Sequence, residues 1–311
     1  MEMEKIMSKL IVMCGLPGSG KTSYAEQLAL EGNYVVHSSD KIREELGDIN
    51  DQNKNAEVFK ILHQRIKNDL QNGKNVIYDA TNLKRKKRVS FLRHELRGIS
   101  CYKICILVAT PWECCLAQNS VRDRQVPVEV MNRMYKSFQM PCVQEGFNKV
   151  IVHYDKDEWK TYYGDVHTYI NELMNFDQEN SHHSSTLGKH MEEARNYIMK
   201  NNKYLLFDNI VWAAYSHDIG KPGTKTFVNY KGETTNEAHY YSHHNIGSYN
   251  SLFFNYGKSD KKYIALLIEL HMKPYMEWKQ SVSAKEKDLR LFGSKIISDI
   301  ELLHEADKYA K

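Results

Sequence analysis

The chain has 311 residues, 41% of them hydrophobic and 26% charged. That composition excludes a disordered or fibrous protein and is enough for two domains, each with its own core. The formal net charge of +4 permits a nucleic-acid substrate without requiring one.

Residues 9–155 read as alternating strand and helix. Leu10–Cys14 is a short apolar strand that runs into a glycine loop, and Thr22–Leu30 follows as a helix. Tyr34–His37 is a second strand, ending at Ser38-Ser39-Asp40. In Ala56–Gln71 the apolar residues Val58, Ile61, Leu62, Ile66 and Leu70 recur at helical spacing, and Gly73 closes the helix. Val76–Tyr78 is a third strand ending at Asp79, a basic helix starts at Lys84, and Tyr102–Val108 and Val150–Val152 are two more strands. Alternation of this kind predicts an α/β domain, a parallel sheet with helices on both faces.

Strand signals then fade. Residues 158–175 read as helical and the polar stretch 176–186 as a linker. Helices are predicted over 187–200, 205–217, 243–255, 259–271 and 285–310, with a loop or small hairpin over 221–241. The expected organisation is therefore an α/β domain over 1–175 and an all-α domain over 187–311. No apolar run is long enough to span a bilayer, so no membrane partner is expected. The start Met1-Glu2-Met3-Glu4-Lys5 lacks the pattern of a secretory signal, and a cytoplasmic protein is expected.

All six cysteines lie in the first half, in or beside apolar runs, and read as reduced buried thiols. Nine of the fourteen histidines lie after residue 180. Imidazole is the commonest transition-metal ligand, so the skew points to metal in the C-terminal half.

Gly15-Leu16-Pro17-Gly18-Ser19-Gly20-Lys21-Thr22 fits the phosphate-loop pattern G-x-x-x-x-G-K-S/T, after a strand and before a helix. In that context the backbone N–H groups, with Gly15, Gly18, Ser19 and Gly20, cradle phosphates. Lys21 neutralises β/γ charge and Thr22 holds Mg²⁺. Asp40 ends the second strand, where it can act as a general base or simply cap a helix. Arg43, one turn on, can hold a substrate phosphate or be solvated. Asp79-Ala80-Thr81-Asn82 can position substrate or a metal-bound water, or cap the next helix. Lys84-Arg85-Lys86-Lys87-Arg88 is a solvated helix face or a polyanion guide. Arg122 and Arg124 precede Val126-Pro127 and can close over a nucleotide or lie on the surface.

In order and spacing, the glycine loop, Ser39-Asp40-x-x-Arg43, Asp79–Leu83, and Arg122 through Val126-Pro127 to Met134-Tyr135-Lys136-Ser137 resemble phage-type polynucleotide 5′-kinases over about 150 residues. The resemblance implies a P-loop kinase domain with ATP and Mg²⁺ on Lys21 and Thr22. It also implies Asp40 as general base, Arg43 beside the acceptor hydroxyl, and Arg122 in a lid over the nucleotide. The lid is one residue shorter here, and Gln118 stands where the family has a second arginine, which leaves the role of Arg124 open.

His190, His217-Asp218 and Asp307 form an ordered set on three helices, and Asp218 can bridge two metals. The phrase His217-Asp218-Ile219-Gly220-Lys221-Pro222 and Asp307 near the end resemble the HD phosphohydrolase superfamily over about residues 187–311. That resemblance implies a divalent transition metal (Mn²⁺, Ni²⁺, Co²⁺ or Fe²⁺), second-metal ligands at His243 and His271, and Lys221 near a substrate phosphate. His244 stands where an acidic residue is common, so the pair His243-His244 leaves two candidate ligands. His182, His183 and His304 read as surface residues.

The Asp-x-Asp-x-Thr phosphatase that accompanies phage polynucleotide kinases is absent, and the whole is similar to bacterial fusions of an HD domain with a polynucleotide kinase. The expected function is end healing of RNA or DNA, with phosphorylation of a 5′-OH and removal of a 3′-phosphate or 2′,3′-cyclic phosphate. A ligase acting downstream is the implied partner. The alternatives are a small-molecule or nucleotide kinase joined to a nucleotide phosphohydrolase, and a kinase carrying a non-catalytic HD module.

Overall fold

The computed structural model describes residues 7–47, 54–181, 185–201 and 208–310. It divides into two compact units. The first is Met1–Met131 with Pro141–Asp155, and the second is Asn132–Met140 with Lys156–Lys311.

The first unit is a five-stranded parallel sheet with strand order β2-β3-β1-β4-β5. In chain order it contains β1 (Lys9–Cys14), α1 (Lys21–Gly32), β2 (Tyr34–Ser38), α2 (Ser39–Glu45), α3 (Asn55–Gln71), β3 (Asn75–Asp79), α4 (Arg85–Ser90), β4 (Tyr102–Val108), α5 (Trp112–Ser120) and β5 (Lys149–His153). The central strand β1 is buried at five consecutive positions, Leu10 to Cys14, as expected where helices cover both faces. Its register with both neighbours is set by Ile11↔Ile77 and Ile11↔Ile104. Ile11, Met13, Ile77, Ile106 and Val108 form one face's core with Ala25 of α1. On α3, Val58, Leu62, Ile66 and Leu70 are four residues apart and all buried, which lays one stripe of the helix on the sheet. Because β1 lies between β3 and β4, the carboxyl ends of β1, β2 and β3 open onto one crevice, the ligand position in such sheets. All six cysteines are unpaired and five are buried, as expected from sequence.

Helix α6 (Val128–Lys136) follows, its residues from Asn132 onward belonging to the second unit, which is mainly helical. That unit also contains α7 (Val166–Glu172), α8 (Leu187–Asn201), α9 (Asn209–Ser216), the strands β6 (Lys225–Val228) and β7 (Thr234–Tyr240), α10 (His243–Ser251), α11 (Lys261–Leu270), α12 (Val282–Phe292) and α13 (Ser294–Tyr309). Its core joins Leu187, Met191, Trp212, Tyr215, Ile219, Ile264 and Ile268. Among the described residues, no helix is long and apolar enough to cross a membrane.

The structure differs from the sequence reading at three places. Residues 156–175, expected in the first domain, pack with the second, where Val166, Ile170 and Leu173 enter its core. The helix over 158–175 is interrupted before Asp165, whose side chain caps α7 by accepting from the His167 and Thr168 N–H groups. The helix over 285–310 is two, α12 and α13, broken at Gly293 with φ +82°. The small hairpin allowed for over 221–241 is present as the antiparallel pair β6–β7, so the domain expected to be all-α is mainly rather than wholly helical. Of the helix predicted over 205–217, residues 205–207 lie outside the described residues, as do His182 and His183.

Candidate active sites

In the first unit the glycine loop leaves β1 and enters α1, so the helix N-terminus and its unpaired N–H groups face the loop. Gly18 sits at φ +75°, and a Cβ there would lie 2.3 Å from the Cys115 carbonyl oxygen. Lys21 Nζ donates to Leu16 O (2.6 Å) and Ser19 Oγ (3.3 Å), which folds the ammonium back over the loop. Burial lowers the Lys21 pKa; Asp79 opposes the shift, and the charge of Arg122 adds to it. Arg122 is exposed on the segment after α5.

Thr22 Oγ1 donates to Asp79 Oδ2 at 3.0 Å, joining the loop to the end of β3. Burial raises the Asp79 pKa against the opposing pull of Lys21. The hydroxyl and the carboxylate are hard oxygen donors side by side, which fits Mg²⁺. Asp79–Asn82 does not cap α4, whose preceding residue is Lys84. Instead, Thr81 O accepts from Gly15 N–H and Asn82 Nδ2 donates to Met13 O, bracing the glycine loop.

Asp40 lies in the first turn of α2. Ser38 is the cap, accepting from Asp40 N–H, which leaves the Asp40 carboxylate to other partners. Arg43 is buried: Nη1 is 3.0 Å from Asp40 Oδ1 and Nη2 donates to Asn55 Oδ1 at 2.5 Å. Arg124 Nη1 lies 2.9 Å from the same Asp40 Oδ1.

The basic run is not simply a solvated face. Arg85 and Arg88 are buried on Glu145, itself buried: Arg88 Nε and Nη2 each lie 2.7 Å from a carboxylate oxygen, and Arg85 Nε is at 3.3 Å. Arg88 Nη1 also donates to Asn82 O and Leu83 O. The sequence reading missed this cluster because Glu145 is 57 residues from Arg88.

In the second unit the histidines and aspartates collect as two buried groups, His190–His217–Asp307 and Asp218–His243–His271. Asp218 joins them. Its Oδ2 lies 3.4 Å from the Nε2 of both His190 and His217, and its Oδ1 lies 3.2 Å from His243 Nε2 and 3.7 Å from His271 Nε2. Each of the four rings approaches a backbone carbonyl through Nδ1: His190 to Ala310, His217 to Ala214, His243 to Tyr240 and His271 to Ile268. A carbonyl can only accept, so each Nδ1 carries a proton and each ring turns its Nε2 inward. The Nε2 atoms lie 3.0 Å apart for His190 and His217 and 3.2 Å apart for His243 and His271, beside two carboxylates. A set of inward imidazole nitrogens and carboxylates fits borderline divalent metals.

The protonation pattern has the same origin. Burial disfavours charge on His217, but Asp218 and Asp307 outweigh it and raise its pKa to about 10. His271, buried and facing His243 and His217, is held well below its usual range. The carboxyls of Asp218 and Asp307 are held well below theirs against the cost of burial, Asp218 chiefly by Lys221 and Asp307 by hydrogen bonds to His190 and His217.

Lys221 is buried, with Nζ 2.6 Å from Asp218 Oδ2 and 2.7 Å from Gln178 Oε1. Gln178, in the stretch expected to be a linker, is buried and also donates to Ser185 O. Of the pair His243-His244, only His243 enters a metal group; His244 is half-buried beside it, and burial and the neighbouring His243 push its pKa down to about 3. His304, expected on the surface, is half-buried edge-on to Tyr275, with ring centroids 4.3 Å apart.

A family model described as an AAA domain matches residues 10–141. "Transcription factor bHLH140" of Arabidopsis thaliana is 24% identical over 160 residues, covering 49% of this chain and 17% of its own length. "L-seryl-tRNA(Sec) kinase" of Methanococcus maripaludis is 25% identical over 174 residues, 54% of this chain and 66% of its own. The chain thus spans less than two thirds of either curated relative. Among solved structures, the Pnkp1/Rnl/Hen1 RNA repair complex aligns at 21% identity and a TM-score of 0.36, over 41% of this chain and 43% of that one. A putative kinase from Chloroflexus aurantiacus aligns at 16% identity and a TM-score of 0.41, over 49% and 90%. Residues 10–141 include β2 to β4, nearly all of β1, the glycine loop, Asp40, Asp79, Arg122 and Arg124, and the N-terminal unit is a parallel-sheet α/β domain of P-loop kinase-like fold.

Proposed function

We propose that the chain is a bifunctional enzyme that heals nucleic-acid ends, phosphorylating a 5′-OH in its first unit and removing a 3′-terminal or 2′,3′-cyclic phosphate in its second. The observation that carries the reading is the presence in one chain of two clusters whose chemistry suits phosphate handling. One is the glycine loop with Lys21, Thr22 and Asp79, and the other is the pair of metal-type groups joined by Asp218.

In the first site the loop N–H groups and Lys21 hold the ATP phosphates, and Thr22 and Asp79 hold Mg²⁺. Arg122 adds positive charge over the transferring group. Asp40 takes the proton of the acceptor hydroxyl as that oxygen bonds to the γ-phosphorus. The bond from the γ-phosphorus to the β–γ bridging oxygen breaks, and ADP leaves. Arg43, already on Asp40, is placed to bind a phosphate beside the acceptor.

In the second site His190, His217, Asp307 and Asp218 Oδ2 would hold one divalent ion, and Asp218 Oδ1, His243 and His271 a second. Metal bound there would supply a water of lowered pKa and neutralise charge on the phosphate. Lys221, 2.6 Å from Asp218, offers an ammonium to a substrate phosphate oxygen at the same spot. Expected partners are RNA or DNA ends and a ligase that consumes the healed product.

The test is a short RNA with a 5′-OH and a 2′,3′-cyclic phosphate, incubated with ATP and Mg²⁺ and separately with Mn²⁺, Ni²⁺ or Co²⁺. Both ends are read by mass spectrometry. The reading requires a gained 5′-phosphate that Lys21→Ala abolishes and a lost 3′-end phosphate that Asp218→Ala abolishes. An RNA unchanged at both ends would refute it.

A further inference from the structure

The kinase site contains a contact that nucleotide binding does not explain. Arg124 and Arg43 place guanidinium nitrogens 2.9 and 3.0 Å from one oxygen of Asp40, Oδ1. Among the described residues, the other oxygen, Oδ2, has no partner. The Asp40 side chain is 44% exposed and that of Arg124 23% exposed, so the pair contributes little to stability. Two like charges on one oxygen also repel each other. What the arrangement does achieve is orientation, because two donors on Oδ1 restrict how the carboxylate can turn and leave Oδ2 to an acceptor hydroxyl.

Arg124 does not reach Asp40 from a loose segment. Asn119, buried near the end of α5, clasps Val126 at both backbone groups: Nδ2 donates to Val126 O (2.9 Å) and Oδ1 accepts from Val126 N–H (3.0 Å). Gln125 Nε2 donates back to Ser120 O at 2.8 Å. The loop that carries Arg124 is closed at its base, which limits where the guanidinium can go.

Resting on the kinase reading above, we propose that Arg124 is a positioning residue for the general base Asp40, and that its role is not to bind ATP. Arg43 and Arg124 hold Oδ1, and Oδ2 accepts the proton of the acceptor hydroxyl. With Arg43 and Arg124 against one carboxylate the trio carries a net positive charge, which favours an acceptor that bears its own phosphate, an oligonucleotide 5′ end over a neutral alcohol.

The experiment measures ATP-dependent phosphorylation of a 5′-OH oligonucleotide by the full chain and by Arg124→Ala, Arg124→Lys, Asp40→Asn and the Asp40→Asn/Arg124→Ala double variant. Single-turnover rates are used where activity is low. A base tilted out of line costs about 10²-fold. Arg124→Ala is therefore expected to lower kcat by about 10- to 100-fold and to leave KM for ATP within about twofold, with part of the loss recovered in Arg124→Lys. In the Asp40→Asn background, Arg124→Ala should cost less than about twofold more, since two residues acting through one function are not additive. A KM for ATP raised tenfold at unchanged kcat would overturn the inference and make Arg124 a nucleotide ligand. Independent, multiplicative losses in the double variant would overturn it as well. An inactive wild-type chain would instead refute the kinase reading, and the inference with it.

Discussion

Glu145→Ala is expected to destabilise the first unit selectively. The Glu145 carboxylate is fully buried and meets Arg88 at both oxygens (2.7 Å each), Arg85 at 3.3 Å and the Cys142 N–H at 3.3 Å. The Arg88 side chain is also fully buried, so removing the carboxylate leaves its charge in the interior without this counter-ion. Breaking a buried ion pair from one side costs about 3–5 kcal/mol. A domain's whole stability is typically about 5–15 kcal/mol. Glu145→Gln keeps the volume and one acceptor oxygen and should lose less. The two units need not unfold together, so the measurement is amide hydrogen exchange by mass spectrometry, which reads opening free energies segment by segment. Amides of β1, β3 and β4 should lose about 3–5 kcal/mol of protection while those of α9 and α11 stay unchanged. A loss below about 1 kcal/mol in β3 and β4 would refute the reasoning that this carboxylate is what neutralises the buried arginines.

Three further expectations concern the sites. Wild-type protein loaded with Mn²⁺ should carry two ions per chain by elemental analysis after gel filtration. His190→Ala and His271→Ala should each lose one and Asp218→Ala should lose affinity at both, whereas full occupancy in Asp218→Ala would refute the bridging role. Gly18→Ala should abolish ATP binding measured by calorimetry, because its Cβ would lie 2.3 Å from a carbonyl oxygen at a positive φ that alanine disfavours; wild-type affinity would contradict it. Gly220→Ala should weaken metal binding without touching a ligand, since a Cβ there would lie 2.1 Å from the His243 carbonyl oxygen and push α10 away. An unchanged metal affinity with unchanged circular dichroism would count against that.

Much of the first site was legible because its signals are local. The glycine loop, the apolar strand before it and the helix after it lie within one contiguous stretch. The apolar period of α3 placed its buried face correctly. The histidine skew and the order His190, His217-Asp218, Asp307 pointed to residues that the structure collects in two buried groups. What could not be read was pairing across long separations. A run of five basic residues looks solvated until Glu145 appears beneath two of them. Gln178 sits in a polar, turn-rich stretch that looks like a linker, and only its hydrogen bonds to Lys221 and Ser185 show that it is interior. The break at Gly293 had a visible cue, but helical periodicity on both sides masked it. The choice between His243 and His244 was geometric, decided by which ring faces Asp218.

The end of α6 has a consequence for synthesis. Tyr135 hydrogen-bonds Asn250, 115 residues later in the chain, and Phe138 packs edge-on against Tyr249 with ring centroids 4.9 Å apart. At about 5–20 residues per second, roughly 6–23 s separate the emergence of these aromatic residues from that of their partners. Over that interval a growing chain carries a sticky Tyr-and-Phe segment next to a sheet domain that can already fold. A ribosome that stalls between codons 140 and 245 would leave that segment uncovered, making this stretch of translation the period in which the nascent protein most needs a chaperone.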